Sequence, residues 1–526
     1  MTQVPAAWAP ALLVHPNRPV FGVAGSSNFA LLSAYAARGG RYVACQHEAG
    51  AVAMASGWAS ACGQPGIASV HQGPGLANAA TAIADAVRSG APVVVIAGHT
   101  GDTGSRQHLS SIALVDSLGA VAHVPADDDP AALSAAIAAS ENAGCTIVVL
   151  PPGSGETEPL PPARAAAAPN PAAISALVRE VDAASTIALL VGRGAVRSGA
   201  VPAIAALAEH LDAALVTTAP AQGAFAGNPR CLGLMGGFAT AGTTRALQEA
   251  DLVIAFGASL DSWTTAGGRI LGPRTRVVRV DITPASSSVV ADAGQTARAL
   301  TAAVAARPPG TWVVDSAVRA RAPRDFTPVP GLDPRLLLSR LDSLLPAART
   351  LCLDSGHFLA LATMMMTTLD GPHVNFGQDA QSVGLGLAHA IGAAMACPER
   401  LTVCVMGDGG AAMSMLELAT AVDAGLSLLV VIVNDAAYGA EVHDFEPLGL
   451  DVSIARFPVR DWAAVARALG AQAVTVKGLD DVEVVQSWLA RPEGPLVLDC
   501  RVDPTVDAVS IMTAEGQAEW TPHPST

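Results

Sequence analysis

The feature that most constrains the fold is a repeated alternation between short apolar runs and longer stretches rich in alanine and leucine. The runs include VVVI (93–96), IVVL (147–150) and LLVVIV (428–433). A strand that is apolar at every position is buried on both faces, and the helical segments between such strands supply the cover. The pattern therefore predicts an α/β protein built from doubly wound parallel sheets.

Two proline-rich segments divide this alternation into three blocks. Residues 153–171 and 307–334 are polar and rich in turn-forming residues, which is typical of linkers. Blocks 1–152, 172–306 and 335–526 are each long enough for one domain. We predict three doubly wound parallel-sheet domains, with ligands bound beyond the carboxyl ends of the strands.

Composition excludes several classes of protein. The chain is 51% hydrophobic, but its apolar runs are far shorter than the roughly 20 residues of a membrane-spanning helix, so we predict no membrane partner. With 30 basic and 45 acidic residues, the net charge is −15, and no basic stripe indicates a nucleic acid partner. The eight cysteines lack metal-binding spacing. The first residues lack the features of a signal peptide, which predicts a cytoplasmic protein.

Acidic residues follow two strands that a helix connects. The run LTVCVMGDGG (401–410) ends in Gly407-Asp408-Gly409-Gly410, and LSLLVVIV (426–433) is followed by Asn434-Asp435. A right-handed crossover brings both strand ends to one edge of the sheet. Carboxylate oxygens suit Mg²⁺ or Ca²⁺, and the glycines let backbone N–H groups meet an anion. Taken singly, each motif fits an ordinary turn with a capping aspartate equally well, so a metal and phosphate site and such a turn are the two alternatives.

This arrangement resembles the cofactor motif of thiamine diphosphate (ThDP) enzymes of the acetolactate synthase, pyruvate decarboxylase and benzoylformate decarboxylase group. That motif begins with Gly-Asp-Gly and closes just under thirty residues later at Asn-Asn. The three blocks are similar in order and size to the family's pyrimidine-binding, middle and diphosphate-binding domains. The resemblance implies that Asp408, the side chain of Asp435 and the backbone carbonyl of Ala437 hold Mg²⁺. Asp435 stands where asparagine is usual and adds a negative charge.

Further segments resemble the cofactor site of this family. SVGLGLAHAIGAAM (382–395) is similar to its glycine-rich segment, with Val383 where a larger apolar residue usually supports the cofactor. Asp354-Ser355-Gly356-His357 resembles the loop that contacts the diphosphate. The resemblance implies that the cofactor contacts Ser355, Gly356, His357, Val383, Gly407, Gly409, Gly410 and Tyr438, together with the glutamate described next.

Glu48 stands at the start of an alanine-rich helical stretch. Taken alone, a glutamate in a first helical turn is usually a residue favoured by the helix dipole. The pattern Glu-x-Gly-Ala-x-x-Met-Ala-x-Gly-x-Ala, at 48–59, resembles the segment that carries the family's activating glutamate. Such a carboxyl group can share its proton with the cofactor's aminopyrimidine ring. The resemblance also implies that Glu48 meets a cofactor held by another chain, in a homodimer or homotetramer with active sites at the subunit interface.

Two loops offer catalytic residues on the substrate side. His71 directly follows a strand, and a histidine in the similar segment of benzoylformate decarboxylases faces the reacting carbon. A histidine suits proton transfer near neutral pH, although a structural histidine in the Gly73-Pro74-Gly75 turn is the alternative. Gln107 roughly matches a glutamine that enters the active site of acetolactate synthases, and His108 is adjacent. Solvated loop residues are the alternative for both.

Three further residues are candidates for substrate contact. Ser26 and Asn28 follow the first strand, where a serine of benzoylformate decarboxylases contacts the substrate carboxylate, and Glu441 follows the metal loop. Helix capping and a plain helix surface are the alternatives.

In the middle block, the turn Gly192-Arg193-Gly194 is weak evidence for a nucleotide. Family members bind FAD, ADP or nothing in this domain, and we favour nothing.

Together these features predict a ThDP- and Mg²⁺-dependent enzyme that cleaves or forms a C–C bond next to a carbonyl group. His71 favours non-oxidative decarboxylation of a 2-oxo acid, with carboligation as a side activity. An acetolactate-synthase-like transferase or a 2-hydroxyacyl(-CoA) lyase is the alternative, supported by Gln107. A non-catalytic subunit with the same fold is a remote alternative, because such a protein has no need of Glu48.

Overall fold

The computed structural model describes residues 3–15, 17–155, 159–162, 167–283, 288–310 and 326–508. Parts of the predicted linkers 153–171 and 307–334, and residues 509–526 of the third block, lie outside the described residues. Within the described residues the strands form three parallel six-stranded sheets with helices between the strands. The predicted fold class is confirmed.

The first sheet is built from residues of the first block. Its central strands, such as β3 and β4, are buried at every position, because helices cover both faces. The strand order is β2-β1-β3-β4-β6-β5. The strands are β1 (Val20–Gly22), β2 (Tyr42–Ala44), β3 (Gly66–Val70), β4 (Val93–Ala97), β5 (Val121–His123) and β6 (Thr146–Val149). The helices are α1 (Ala9–Leu12), α2 (Phe29–Ala36), α3 (Glu48–Cys62), α4 (Pro74–Asn78), α5 (Ala80–Ser89), α6 (Ser111–Ser117) and α7 (Pro130–Ala143), with a 3-10 turn at Ala6–Trp8.

The second sheet follows the first predicted linker. Its first helix begins where Asn170 accepts a hydrogen bond from the backbone N–H of Ala172 and Pro171 occupies the first helical position. The strand order is β12-β11-β10-β7-β8-β9. The strands are β7 (Ile187–Val191), β8 (Ala214–Thr217), β9 (Cys231–Leu234), β10 (Leu252–Phe256), β11 (Arg276–Asp281) and β12 (Ser288–Val290). The helices are α8 (Pro171–Asp182), α9 (Arg193–Arg197), α10 (Val201–Leu211), α11 (Ala241–Gln248), α12 (Ser262–Thr265) and α13 (Ala293–Ala303), with a 3-10 turn at Ala219–Ala221.

The third sheet carries the acidic motif. Its strand order is β14-β13-β15-β16-β18-β17. The strands are β13 (Arg349–Leu353), β14 (Val374–Phe376), β15 (Leu401–Gly407), β16 (Leu428–Asn434), β17 (Gln472–Val476) and β18 (Leu496–Arg501). The helices are α14 (Pro334–Leu344), α15 (Phe358–Met365), α16 (Gly386–Ala396), α17 (Asp408–Ser414), α18 (Glu417–Asp423), α19 (Gly439–Phe445), α20 (Trp462–Ala468) and α21 (Val484–Ala490). Short 3-10 turns lie at Glu446–Leu448, Val452–Ala455 and Leu479–Glu483. In the described part of the chain, no helix combines the length and the apolar character that crossing a membrane requires.

The chain forms two compact units rather than a row of contiguous blocks. One unit combines residues 1–164, 343–359 and 375–504, and therefore contains the first and third sheets. The other combines the described residues within 165–342, 360–374 and 505–508, around the second sheet. The domain limits that we drew from the linkers remain a prediction.

Small residues let α3 and α16 cross closely within the first unit. A methyl group at Gly57 would overlap the backbone carbonyl of His389, and one at Gly392 would overlap the carbonyl of Met54. Both helices are almost entirely buried in a core that the first and third sheets share. The crossing therefore fixes the start of α3, and with it Glu48, relative to the third sheet.

We expect Gly57→Ala to lower the free energy of unfolding by about 1–3 kcal/mol, because the added methyl group must push two backbones apart. Chemical denaturation monitored by circular dichroism measures this loss. Gly478→Ala is the matched control, since a methyl group there meets open space at an ordinary backbone conformation. Equal stability of the two variants would show that the crossing tolerates a side chain.

Candidate active site

Asp408 and Asp435 meet at the carboxyl edge of the third sheet. Strands β15 and β16 are parallel neighbours with Gly407 beside Val433, so the residues that follow them lie together, as the crossover argument predicts. Burial, and then the negative charge of Asp435, raise the pKa of Asp408 well above its ordinary value. Among the described residues, Oδ1 of Asp408 has no hydrogen-bond partner. Two buried carboxyl groups with an unpaired oxygen form an arrangement that a divalent cation would neutralise.

The turn after Asp435 is strained and firmly held. Ala436 has φ +58°, a left-handed conformation that residues with a side chain rarely adopt. The Asp435 Oδ1 atom accepts a hydrogen bond of 3.2 Å from the Ala437 N–H, and the Tyr438 N–H donates to the carbonyl of Ala455 at 2.9 Å. Strain of this kind persists only where surrounding contacts impose it, and it is concentrated at functional sites. The turn carries Ala437, the third residue that the resemblance predicts to bind the metal.

The glycines at 407, 409 and 410 let neighbouring side chains approach the backbone closely. A methyl group at Gly409 would lie 2.6 Å from the ring of Tyr438, and one at Gly407 would lie 3.0 Å from the ring of Phe358. At Gly410 it would overlap the carboxylate of Asp354. Only glycine allows these approaches, and the resulting backbone surface is suited to a phosphate group.

Asp354, which the sequence places before the predicted cofactor contacts Ser355, Gly356 and His357, joins two of the predicted cofactor loops. Its Oδ1 accepts hydrogen bonds from the backbone N–H of Ser355 at 2.9 Å and of Gly384 at 3.0 Å. Burial raises the pKa of Asp354 to about 6, although these N–H donors oppose the rise. Asp354 therefore holds the 355–357 loop against the segment that carries Val383. Its place directly after β13 is the signal that could have identified it.

Around these loops, the remaining predicted cofactor residues differ in their environment. His357 lies with Nδ1 3.7 Å from Oδ2 of Asp435. Val383 is half-buried, with Cγ1 3.6 Å from the position that a methyl group on Gly410 would take. The structure therefore brings His357, Val383 and Tyr438 to the acidic pair.

Glu48 belongs to a second group of polar residues, on the first sheet. It is the first residue of α3, but His47 caps the helix, because His47 Nδ1 accepts a hydrogen bond from the Ala49 N–H. The half-buried Glu48 carboxylate accepts a hydrogen bond of 3.1 Å from Asn78 Nδ2. The carboxylate is therefore not required as the helix cap.

His71 lies in a chain of hydrogen-bonded side chains beside Glu48. Its Nδ1 is 2.5 Å from Oγ of Ser27, and its Nε2 is 3.3 Å from Nε2 of Gln107. The amide of Gln72 donates to Oε1 of Gln107 at 2.8 Å, and the Gln72 N–H donates to Ser27 Oγ at 3.1 Å. The predicted residues His71 and Gln107 are thus brought together, and both ring nitrogens of His71 have a partner that can orient the ring.

Burial lowers the pKa of the His71 imidazole below 6.5, and the negative charge of Glu48 opposes this shift. We therefore expect the ring to be neutral at pH 7 and to gain a proton only below pH 6.5. Glu48→Gln removes the opposing charge and should lower this pKa further. An NMR titration of the protein labelled with ¹³C-histidine measures both values, with His71→Asn to assign the signal. A pKa above 6.5 for His71 would contradict the expectation.

Four predicted residues have other environments. The Asn28 amide accepts a hydrogen bond from the Gly25 N–H at 2.7 Å and donates to Ser69 Oγ at 3.1 Å, so it holds the turn after β1. Ser26 is exposed, and its neighbour Ser27 contacts His71 instead. The remaining two are His108, whose Nδ1 lies 3.0 Å from the Thr100 carbonyl oxygen, and Glu441, which is exposed on α19.

A family model matches part of each of the three blocks. Residues 11–120 match the N-terminal TPP binding domain of thiamine pyrophosphate enzymes, residues 174–300 the central domain, and residues 355–500 the C-terminal TPP binding domain. The chain belongs to the thiamine pyrophosphate enzyme family. Thiamine pyrophosphate is another name for ThDP, so the predicted family resemblance is confirmed.

Curated relatives of this thiamine pyrophosphate enzyme span most of its length. Acetolactate synthase of Mycobacterium bovis is 29% identical over 503 residues, which cover 87% of this chain and 81% of the relative. The acetolactate synthase isozyme 2 large subunit of Escherichia coli is 27% identical, with 94% of each chain covered. A thiamine diphosphate-dependent 4-hydroxybenzoylformate decarboxylase of Rhodococcus jostii RHA1 is similar in fold, with a TM-score of 0.81 and 22% identity over 96% of this chain and 100% of that chain.

The residues of this thiamine pyrophosphate enzyme fit its cofactor. The buried acidic pair with the unpaired Asp408 oxygen suits a cation on a diphosphate, and the glycines at 407, 409 and 410 add no side chain of their own there. In the second group, the half-buried Glu48 carboxylate and the His71 imidazole are side chains of a kind that can transfer a proton. The residues present are therefore chemically compatible with a cation on a diphosphate at one group and with proton transfer at the other.

Proposed function

We propose that this protein is a ThDP- and Mg²⁺-dependent enzyme that decarboxylates a 2-oxo acid without oxidising it. The observation that carries the proposal is the position of His71, hydrogen-bonded to Ser27 and to Gln107 within the group that contains Glu48. A neutral imidazole held in this way can accept or return a proton at a reacting carbonyl oxygen. The family membership supports ThDP as the cofactor, and the hydrogen-bonded group around His71 supports decarboxylation as the reaction.

In this proposal Mg²⁺ is held by Asp408, Asp435 and the carbonyl of Ala437. The buried acidic pair and the unpaired Oδ1 atom of Asp408 support the assignment, since a hard cation prefers such oxygen ligands. Ser355, Gly356 and the glycines at 407, 409 and 410 would lie against the diphosphate. Asp354 keeps the 355–357 loop against the segment that carries Val383.

When bound, ThDP supplies a nucleophilic carbon and an electron sink for the bond that breaks. Glu48 would hold a proton at the cofactor's pyrimidine nitrogen. His71 would exchange a proton with the substrate's carbonyl oxygen, while Gln107 orients the His71 ring. The buried Gln72 amide fixes Gln107 in turn.

We further propose that each active site combines two copies of the chain. In the described part of the chain, Glu48, His71 and Gln107 make no hydrogen bond or ion pair with the Asp408 group. Two inactive variants test this arrangement. If Glu48→Gln and Asp408→Ala chains are mixed and exchange subunits, heterodimers regain one intact site and about a quarter of the wild-type activity returns. No recovery after verified subunit exchange would place both groups in one site of one chain.

An acetolactate-synthase-type transferase is the second candidate. The names of the curated relatives from Mycobacterium bovis and Escherichia coli favour it, and so does the position of Gln107 against His71. In such a reaction a second 2-oxo acid accepts the two-carbon unit. The two candidates therefore differ in whether product formation depends on an acceptor.

Cofactor titration followed by product analysis tests the proposal. ThDP binding is measured by fluorescence with Mg²⁺ and with EDTA, and CO₂ release is then followed from pyruvate, benzoylformate and branched 2-oxo acids. Mg²⁺-dependent binding with aldehyde as the product supports the decarboxylase. Formation of a 2-hydroxy-2-methyl-3-oxo acid from pyruvate supports the transferase. Failure to bind ThDP would overturn both candidates.

A further inference from the structure

Glu417 is a buried acidic residue that neither the sequence motifs nor the proposed reaction use. It is the first residue of α18, in the third-sheet region, and only 3% of its surface is exposed. A carboxylate this deeply buried is costly unless hydrogen bonds compensate for the lost water. Its hydrogen-bond partners therefore indicate what it does.

Those partners are backbone groups directly before Glu48. Glu417 Oε1 accepts a hydrogen bond of 2.9 Å from the His47 N–H, and its Oε2 accepts one of 3.2 Å from the Gln46 N–H. N–H groups at the start of a helix have no acceptor inside the helix, and the helix dipole favours a negative charge there. Glu417 thus supplies an acceptor for the α3 start from a distant part of the chain.

Packing around Glu417 leaves little freedom in this arrangement. A methyl group at Gly50 would overlap Oε1 of Glu417, so glycine at this position lets the carboxylate reach the helix. The Thr420 hydroxyl lies 3.0 Å from Oε2 of Glu417, and Thr420 Oγ1 lies 3.2 Å from the carbonyl oxygen of Ala44 at the end of β2. The turn between β2 and α3 is therefore held on both sides of residues 45–47.

We propose that Glu417 is a positioning residue that fixes the backbone of Gln46 and His47, and so orients the Glu48 carboxylate toward the cofactor. This inference rests on the proposed role of Glu48. Glu417 itself touches no reacting atom. Its two acceptor oxygens fix where α3 begins. A shift of that turn would move the Glu48 carboxylate away from the cofactor's pyrimidine nitrogen.

Glu417 also lies close in sequence to the proposed metal ligand Asp408. Asp408 begins α17 and Glu417 begins the next helix, so nine positions connect the proposed metal ligand to the residue that holds the Glu48 turn. The same short segment thus contacts both polar groups of one chain, which in the proposed dimer belong to two different active sites. Glu417 is the end of this segment that faces the first sheet.

Glu417→Gln tests the proposal, because it keeps the size of the side chain but replaces one acceptor oxygen by an amide donor. In the cofactor-free protein we expect backbone amide exchange in residues 44–52 to become roughly 10- to 100-fold faster, as for the loss of a charge-assisted hydrogen bond. In the protein loaded with ThDP and Mg²⁺, we expect the rate of deuterium exchange at the cofactor's C2 position to fall at least about 10-fold. The Kd for ThDP should change by less than about 3-fold, since the Asp408 group remains intact.

Controls separate this role from general stabilisation. Asp251→Asn alters a carboxylate that also accepts two backbone N–H groups, from Ser185 and Thr186, and it should leave C2 exchange unchanged. Thr420→Val is the milder second variant if Glu417→Gln does not fold, and it should slow C2 exchange in the same direction. C2 exchange within about 2-fold of wild type in a folded variant would overturn the proposal. Absence of C2 exchange in the wild-type protein would instead overturn the role of Glu48, and amide exchange in residues 44–52 would still decide whether Glu417 holds the turn.

Discussion

Replacing Glu48 by glutamine is expected to lower the rate of CO₂ release from the best 2-oxo acid by roughly 10²- to 10⁴-fold, the range typical of a lost general acid or base. Glutamine keeps the length of the side chain and can still bond to Asn78, but it cannot give up or accept a proton at its carboxyl position. Steady-state kinetics and the rate of C2 deuterium exchange on the bound cofactor measure the effect. Both rates should fall together.

Glu209→Gln is the control for the chemical change alone, because Glu209 is exposed on α10 in the other unit. Its activity should equal that of the wild type. The Kd of the Glu48→Gln variant for ThDP should stay within about 10-fold of the wild-type value, since the acidic pair and the glycines are unchanged. A Glu48→Gln variant that keeps more than a tenth of the wild-type rate would remove Glu48 from the mechanism.

Where the site depends on strand ends, the sequence predicted it well. Asp408 and Asp435 were placed at one edge of a parallel sheet because the connection between β15 and β16 has a fixed hand, and the structure places Gly407 beside Val433 there. The start of α3 at Glu48 also follows from local pattern. These inferences need only the order of the elements along the chain and the geometry of a parallel sheet.

The sequence was less informative where the orientation of a single side chain decides the contact. Ser26 and Ser27 are equally plausible in the motif, but only Ser27 points at His71, while the amide of Asn28 is used inside the turn. Adjacent residues of a turn face different directions, and the sequence alone does not give those directions. Gln72 was overlooked for the same reason, although it follows His71 directly.

Local sequence patterns did not predict the contacts between distant segments. Glu417 accepts hydrogen bonds from backbone groups 370 and 371 positions away, and no spacing rule connects the two segments. The same limit applies to the compact units, in which residues 360–374 belong to the unit that contains the second sheet. Such pairings depend on how whole layers pack, and a single sequence carries no direct record of that packing.

The acidic pair gives the second large effect, through metal binding. We expect Asp408→Ala to weaken Mg²⁺-dependent ThDP binding by at least about 100-fold, because it removes the carboxylate oxygen that has no other partner among the described residues. Asp435→Asn should weaken binding by no more than about 10-fold, since asparagine keeps an oxygen ligand and the hydrogen bond to the Ala437 N–H. Titration of the stripped protein with ThDP at fixed Mg²⁺ measures both constants.

Thermal unfolding of the metal-free variants distinguishes a lost ligand from a damaged fold. Each substitution removes one of two buried like charges, and both carboxyl groups have pKa values that burial raises, so neither variant should unfold below the wild-type Tm in EDTA. With Mg²⁺ and ThDP at concentrations that saturate the wild type but not Asp408→Ala, the Tm should rise for wild type and Asp435→Asn. The Tm of Asp408→Ala should not rise, because only a bound ligand stabilises the folded state. Equal losses of binding in the two variants would show that the charge of Asp435, and not only its oxygen, is needed to hold the metal.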